Sequence, residues 1–289
     1  MTWLVTGADG QLGRAFRRAL AGRDDTRFVD RSACDLSNPA SLADCLARQT
    51  PSIIINCAAY TAVDAAEQDA QTAMRVNAQA VGDMARWAAD RDALMVHFST
   101  DYVFDGAASG AYAEDSPVNP LSAYGRSKAA GEAEFLESRT RGVCLRTSWV
   151  HSNDGRNFLV TMKSLMKERD QLRIVNDQHG VPTTTDFLAT TTLSLVDLLL
   201  RNDNDLPRLI HAVPGGATSW FGLATHIRNM LLQQDSDAKI AEIQAIHSSE
   251  FPQTATRPAN SVMSNSLLQS LLGKTVAGWE AWHDKLHGR

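Results

Sequence analysis

The first half of the chain alternates short, mostly apolar runs with longer stretches in which apolar residues recur every three or four positions. Residues 2–6, 28–30, 53–56, 94–99 and 143–147 are of the first kind, and consecutive apolar positions within them predict strands buried on both faces. Residues 12–20, 39–48, 70–90 and 122–138 are of the second kind and predict helices. Such repeated strand and helix units predict an α/β fold, a Rossmann-like doubly wound parallel sheet with helices on both faces. Beyond residue 149 the pattern changes. Residues 157–168 and 186–200 predict helices, 170–185 strand and loop, and 209–213 a last strand returning to the main sheet. The polar stretch 201–208 reads as a surface connection, and 218–233 and 252–287 as mixed helix and loop. The expected division is a cofactor-binding domain of 1–148 plus 186–214 and a smaller C-terminal mixed α/β substrate lobe of 149–185 plus 215–289. No internal repeat or low-complexity tract suggests a solenoid.

Composition narrows the partners. Of 289 residues, 44% are hydrophobic and 21% charged, the balance of an ordinary globular chain. A net charge of −5, from 28 basic and 33 acidic residues, leaves no electrostatic footprint for a nucleic-acid backbone. The longest apolar runs fall far short of the roughly 18 residues a membrane span needs. Residues 1–7 carry neither a basic n-region nor an h-region, so a cytoplasmic address is expected. Cys34, Cys45, Cys57 and Cys144 match no CxxC spacing and read as packing thiols. The eight histidines are scattered, and no catalytic metal is expected.

Three features carry chemistry. The first predicted strand runs directly into Gly7, Ala8, Asp9, Gly10, Gln11, Leu12 and Gly13, a GxxGxxG spacing that opens a helix. Chance would give this spacing on the order of 0.07 times in a chain of this glycine content. Glycines there allow a tight turn, close approach of the backbone to a pyrophosphate and hard packing of helix on strand. Seventeen residues past Gly13 stands Asp30, followed by Arg31. A carboxylate there favours the ribose hydroxyl of NAD and a guanidinium the phosphate of NADP, so either NADH or NADPH is expected. The third feature is Tyr124 and Lys128, four apart on a predicted helix and therefore on one face. A fixed cation beside a phenol lowers its pKa and makes it a usable proton donor. Ser99 and Thr100 end the preceding strand, where a doubly wound fold collects its ligands.

With these residues the chain resembles the extended short-chain dehydrogenase/reductase superfamily. Four longer strings, STDYVFDG from Ser99, RTSWV from Arg146 with Asn157 and Phe158 beyond it, DQHGVPT from Asp177 and RPANS from Arg257, make it similar to the dTDP-4-dehydrorhamnose reductases over essentially its whole length. That resemblance implies reduction of a C4 keto group on a dTDP-linked 6-deoxyhexose. It implies that Gly10, Gln11 and Leu12 wrap the cofactor pyrophosphate and that Asp30 binds the adenosine ribose. Asp35 and Leu36 would flank the adenine, and Ala58, Ala59, Tyr60 and Phe98 would line the cofactor channel. Tyr124 would donate the proton, Lys128 would hold the nicotinamide ribose and tune the phenol, and Thr100 would steady the C4 oxygen. Thr100, Asp101 and Trp149 would contact the sugar. Arg257 is expected to hold the diphosphate, because a dianion needs a guanidinium partner.

The sequence departs from the family pattern at Tyr60, where many relatives carry His, and at His151, where a Tyr is common. Some relatives are magnesium-dependent dimers that hold the ion on glutamates at the start of the first helix. Here that helix reads Arg14, Ala15, Phe16, Arg17 and Arg18, so no ion is expected there and the chain is expected to be a monomer or a homodimer formed elsewhere. Two rival readings remain at this stage. One is another nucleotide-sugar epimerase, dehydratase or reductase of the superfamily, and the other is a non-catalytic NADP-binding regulatory subunit.

Overall fold

The computed structural model describes residues 1–201 and 206–286. The first half contains β1 (Trp3–Thr6), α1 (Gln11–Ala19), β2 (Thr26–Val29), α2 (Pro39–Gln49), β3 (Ile53–Asn56), α3 (Val63–Ala66), α4 (Ala70–Met74), α5 (Ala80–Ala89), β4 (Leu94–Thr100), α6 (Ala123–Glu137) and β5 (Arg141–Thr147). Then come β6 (Val150–His151), α7 (Phe158–Glu168), β7 (Gln171–Val175), β8 (His179–Gly180), β9 (Thr183–Thr184), α8 (Thr185–Arg201), β10 (Leu209–His211), β11 (Thr218–Ser219), α9 (Trp220–Gln234), β12 (Glu242–Ile246), α10 (Ser266–Leu272) and α11 (Trp279–Lys285).

Six strands form one parallel sheet in the order β10-β5-β4-β3-β1-β2. The chain starts in the middle at β1, winds outward to β2 and then back across through β3, so the order reverses between β1 and β3. That reversal opens the crevice in which doubly wound folds bind ligands. The apolar runs are continuous because both faces are covered. Trp3, Val5, Ile53, Ile55, Val96 and Leu145 pack on one side with Phe16 of α1 and Phe187, Leu188 and Leu195 of α8. Leu4, Ile54, Met95 and Cys144 pack on the other with Leu42 and Leu46 of α2 and Val81 and Met84 of α5. Period-two alternation between two buried faces therefore reads as unbroken hydrophobicity.

A third apolar cluster gathers Phe104, Tyr112, Leu159, Met162, Val181, Val213, Leu223, Ile227, Met263 and Trp279. Around it run three two-stranded sheets, β7 with β12, β6 with β9 and β8 with β11. The predicted final strand does return to the main sheet, pairing with β5 through residues 209–211. Residues 202–205 of the predicted surface connection, and His287 at the end of the last predicted segment, lie outside the described residues. Among the described residues no helix is long and apolar enough to cross a membrane.

The predicted helix 70–90 is a single helical stretch interrupted by a π-helical turn at Arg75–Gln79. The extra residue turns Asn77 inward, where its amide bonds both backbone groups of Tyr60 at 2.8 and 3.0 Å and the Ser127 hydroxyl at 3.0 Å. Opposite the turn, α6 carries Gly131, at which a Cβ would lie 2.0 Å from the Asn77 carbonyl oxygen. Glycine there lets the bulge and α6 touch backbone to backbone, the kind of irregularity that clusters at functional sites.

Candidate active site

The glycine turn lies between β1 and α1, as its spacing predicts. Gly7 has φ +63°, and a Cβ on it would sit 2.8 Å from the Ala58 amide nitrogen. A Cβ on Gly13 would sit 2.2 Å from the Gly7 carbonyl oxygen, so a larger residue would push α1 off the turn. Gly10 is the N-cap of α1 and offers no side chain to the first amides, and the first turn holds no carboxylate. The positive end of α1 is thus left for an external anion, which fits a dinucleotide pyrophosphate. Leu12 packs on the core beneath, while Gln11 Oε1 accepts from Asn157 Nδ2 at 2.7 Å and the Ser152 hydroxyl at 3.0 Å, fastening the turn to the segment before α7.

Asp30 stands at the end of β2. Its Oδ1 accepts from the Ser32 hydroxyl at 2.6 Å and the Ala33 amide at 3.0 Å, and these bonds hold the carboxyl below its ordinary range. Arg31 turns away from it and pairs with Asp35 at 3.5 Å, its side chain 80% exposed. Asp35 also accepts from the Ser37 amide and hydroxyl, and Leu36 is buried in the core against α2. Ala58, Ala59 and Tyr60 form the half-buried loop after β3. The Phe98 ring packs 6.2 Å from Phe16 at the edge of the core, and its backbone carbonyl accepts from Lys128.

The proton-transfer residues meet at the carboxyl end of β4. Ser122 caps α6 by accepting from the Gly125 amide at 3.1 Å, and Glu67 accepts from the Ala123 amide at 2.7 Å. A Cβ on Gly125 would lie 2.3 Å from the Tyr102 carbonyl oxygen, so the glycine after Tyr124 lets α6 lie against the turn that follows β4. Tyr124 is 9% exposed and its ring meets Tyr102 edge to face at 5.5 Å. Burial pushes its phenol well above the usual value, and a hydrogen bond with Thr100 pulls the other way. Lys128 leaves α6 one turn further on, from the same face. Its Nζ reaches to β4, where it donates to the Phe98 carbonyl oxygen and lies 3.4 Å from His97 Nε2. Burial lowers it to about 8.

Asp101 follows Thr100 and is 2% exposed. Its Oδ1 accepts from the Thr100 hydroxyl at 3.1 Å. Its Oδ2 faces Ser261, whose hydroxyl donates to the His179 carbonyl at 3.2 Å instead, and Oδ2 is left buried without a partner. Burial pushes this carboxyl up to about 6. A buried acceptor without a partner is an invitation to a ligand hydroxyl. Asp101 lines a cavity with Tyr102, Trp149, Gln178, Trp220 and Arg257.

Two of the expected substrate residues meet neighbours from distant segments. Trp149 adopts φ +47° and stacks on Trp220 with centroids 3.5 Å apart and planes 4° from parallel. A Cβ on Gly180 would lie 2.6 Å from the same indole. Trp220 therefore covers one face of the indole, and both tryptophans line the cavity. Arg257 lines the cavity but holds Asp64 of α3 with two bonds, 3.2 Å from Nη1 and 2.8 Å from Nη2, which keeps Asp64 below the ordinary carboxylate range.

Among the described residues no group of three or more His, Cys, Asp or Glu side chains could hold a metal ion. The chain does contain one HxxxH spacing, His283 and His287, which a reading of the histidines as merely scattered passes over. His283 is buried, with Nδ1 3.2 Å from His151 Nε2, and His287 lies outside the described residues. The arginines of α1 do meet carboxylates, as partners in ion pairs: Arg14 with Asp154 and Arg18 with Asp186, each at 3.0 Å. Sequence reasoning missed Asn56, Glu67, Asn77 and His97. The glycines at 125 and 131, inside a helix where glycine costs about 1 kcal/mol, were the available signal that something packs closely there.

The sequence model of the family described as RmlD substrate binding domain matches residues 1–286. A dTDP-4-dehydrorhamnose reductase from Burkholderia thailandensis is 39% identical over 284 residues, covering 96% of this chain and 95% of that protein. The crystal structure of a dTDP-4-dehydrorhamnose reductase from Clostridium acetobutylicum superposes with TM-score 0.90 at 33% identity, over 100% of this chain and 99% of that one. That of the Bacillus anthracis enzyme in complex with NADP gives TM-score 0.88 at 31% identity, over 99% of each chain. With a family match over nearly its full length, relatives above 30% identity and the same fold end to end, the chain belongs to the dTDP-4-dehydrorhamnose reductase family, within the Rossmann-like oxidoreductases.

Proposed function

We propose that this chain uses NADH or NADPH to reduce the C4 keto group of dTDP-4-dehydro-L-rhamnose, giving dTDP-L-rhamnose. The observation that carries this reading is the meeting of Thr100, Tyr124 and Asp101 at the carboxyl end of β4, beside the crevice where the strand order reverses. Bound in that crevice, the nicotinamide supplies the hydride, which is the chemistry the protein itself lacks.

The chain's own residues do the rest. The turn at Gly7, Gly10 and Gly13, with Gln11 and Leu12, holds the pyrophosphate against the α1 amides, and Asp30 holds the adenosine ribose, with Arg31, Asp35 and Leu36 around the adenine. Ala58, Ala59, Tyr60 and the Phe98 carbonyl border the nicotinamide side. Lys128 spends one Nζ N–H on the Phe98 carbonyl and gives another to the nicotinamide ribose. As negative charge builds on the C4 oxygen, the Thr100 hydroxyl turns its one proton from Asp101 to that oxygen, and Tyr124 delivers the proton that completes the alcohol. A phenol held well above its usual pKa stays protonated through the physiological range, which suits a donor. Asp101 accepts a sugar hydroxyl at Oδ2, the Trp149 and Trp220 pair bounds the sugar, and Arg257 shares its guanidinium between Asp64 and the diphosphate.

Labour divides between residues 1–148 plus 186–214 for the cofactor and 149–185 plus 215–289 for the sugar nucleotide. The enzyme works in the cytoplasm, as a monomer or a homodimer, with no metal at the start of α1 and no nucleic-acid partner. The test is oxidation of NADH and NADPH with dTDP-4-dehydrorhamnose set against GDP- and UDP-linked 4-keto sugars. Turnover with the dTDP sugar at least about tenfold above the others supports the reading. Preference for another nucleotide overturns the substrate, and no turnover with any of them overturns the activity.

A further inference from the structure

A buried line of polar groups crosses three strands beneath the active site. The Ala58 amide donates to the Thr6 hydroxyl at 3.3 Å, and that hydroxyl donates to Asn56 Oδ1 at 2.6 Å. Asn56 Nδ2 lies 3.1 Å from His97 Nδ1, and His97 Nε2 lies 3.4 Å from Lys128 Nζ. Thr6, Asn56 and His97 are each 1% exposed and Lys128 is 2% exposed, so no solvent serves any of them.

The direction of the line is fixed from its start. An amide N–H can only donate, so Thr6 accepts from Ala58 and spends its own proton on Asn56. Asn56 therefore turns its NH2 to His97, whose Nδ1 accepts, and the ring proton sits on Nε2 facing Lys128. Neutral imidazole is the form this burial enforces, since burial and the lysine together push His97 well below its ordinary range.

We propose that His97 is a positioning residue for Lys128: the line from Ala58 through Thr6 and Asn56 presents the His97 N–H to Lys128 Nζ and seats the amine between His97 and the Phe98 carbonyl. The proposal rests on the reading of Lys128 as a residue of the active site. It ties the place of Lys128 to the loop after β3 and to the strand that runs into the glycine turn.

An N–H aimed at Nζ finds a lone pair only on the neutral amine, so the line adds to burial in favouring the uncharged form. Other groups face the lysine as well. Cys144 of β5 and Glu132 of its own helix both pull it upward, and Glu132 is already committed to Arg146 by two bonds at 2.9 and 2.7 Å. Tyr124 stands one turn back on the same helix. None of these offers an N–H to Nζ.

The chain has six lysines, so protein carrying 13Cε-labelled lysine gives a countable spectrum in which the signal lost in Lys128→Met is that of Lys128. In the native protein that signal titrates near 8. His97→Phe removes the N–H and keeps a ring, and its Lys128 signal is expected to titrate about one pH unit higher. Thr6→Val, nearly isosteric and out of reach of Lys128, frees Asn56 to turn over and the His97 proton to move to Nδ1, and it shifts the signal the same way. Either variant leaving the titration in place, or moving it down, overturns the proposal; Thr6→Val answers alone if His97→Phe does not fold. NADPH affinity separates the parent reading. His97→Phe is expected to weaken NADPH binding several-fold in the native background and to change nothing further in Lys128→Met. Equal losses in both backgrounds make His97 merely structural and overturn the proposal. If Lys128→Met itself binds and turns over normally, the role given to Lys128 has failed, whatever the titrations show.

Discussion

Replacing Asp101 with Asn should make the protein more stable at neutral pH, with only about a third of that gain left at about pH 4.5. Asp101 is wholly buried, has one oxygen without a partner, and is pushed by burial from 3.8 to about 6. The native state therefore holds this proton more tightly than the unfolded chain does. Between about pH 4 and 6 the native state binds more protons than the unfolded one, so stability falls as pH rises through that window. Above it the full penalty of a buried charge is present, roughly 3 kcal/mol at 1.36 kcal/mol per unit. Asparagine carries no charge and keeps an oxygen for the Thr100 hydroxyl, which removes the penalty. For a chain of 289 residues the gain corresponds to a Tm about 5 °C higher. Denaturant unfolding of both proteins at about pH 7.5 and pH 4.5 reads it directly. A variant no more stable than the native protein at pH 7.5, or stabilised equally at both, would refute the reasoning. The same change should raise KM for the sugar nucleotide roughly tenfold or more, because a charged acceptor is lost. Stability given up at this carboxylate is then the cost of function.

Other outcomes follow from the same geometry. Tyr124→Phe keeps the ring on Tyr102 but removes the proton donor, so kcat should fall by roughly 10² to 10⁴ with NADPH affinity unchanged, and near-normal turnover would remove Tyr124 from the mechanism. Asp30→Ala should move the kcat/KM ratio toward NADPH by about tenfold, since the carboxylate would otherwise repel a ribose phosphate; a move toward NADH would show that Asp30 is not the ribose ligand. Arg31→Ala should act in the opposite direction and weakly, because that guanidinium is spent on Asp35 and exposed. Activity should survive EDTA and dialysis unchanged, as Arg14 and Arg18 already occupy Asp154 and Asp186, and a loss restored by magnesium would contradict this.

The sheet was legible because its strands are covered on both faces, which leaves consecutive apolar residues at 53–55 and 94–96 that no exposed strand would show. The glycine turn and the pairing of Tyr124 with Lys128 were legible because each depends on neighbours within one turn of chain. What escaped depends on partners far apart in sequence. The pairing of β7 with β12 joins residues about 70 apart through short strands that alternate polar and apolar positions and stay half-exposed. The stacking of Trp149 needs Trp220, from a separate segment. Lys128 was expected to face the phenol because helical spacing fixes which face a side chain leaves from, but its four-carbon stem then follows whatever acceptor burial provides, here the Phe98 carbonyl. The π turn carried no local signature beyond the glycine on the helix it touches.

The central claim, reduction of a sugar ketone at C4, is tested most directly by the fate of a labelled hydride. The native protein is given NADPH deuterated at the transferring position of the nicotinamide, with dTDP-4-dehydrorhamnose, and the sugar product is examined by NMR. The account predicts one deuterium per product, all of it on C4, with the phenol's proton appearing on the new hydroxyl and exchanging into water. Deuterium at C3 or C5, or an isomerised sugar free of label with no NADPH consumed, would contradict it.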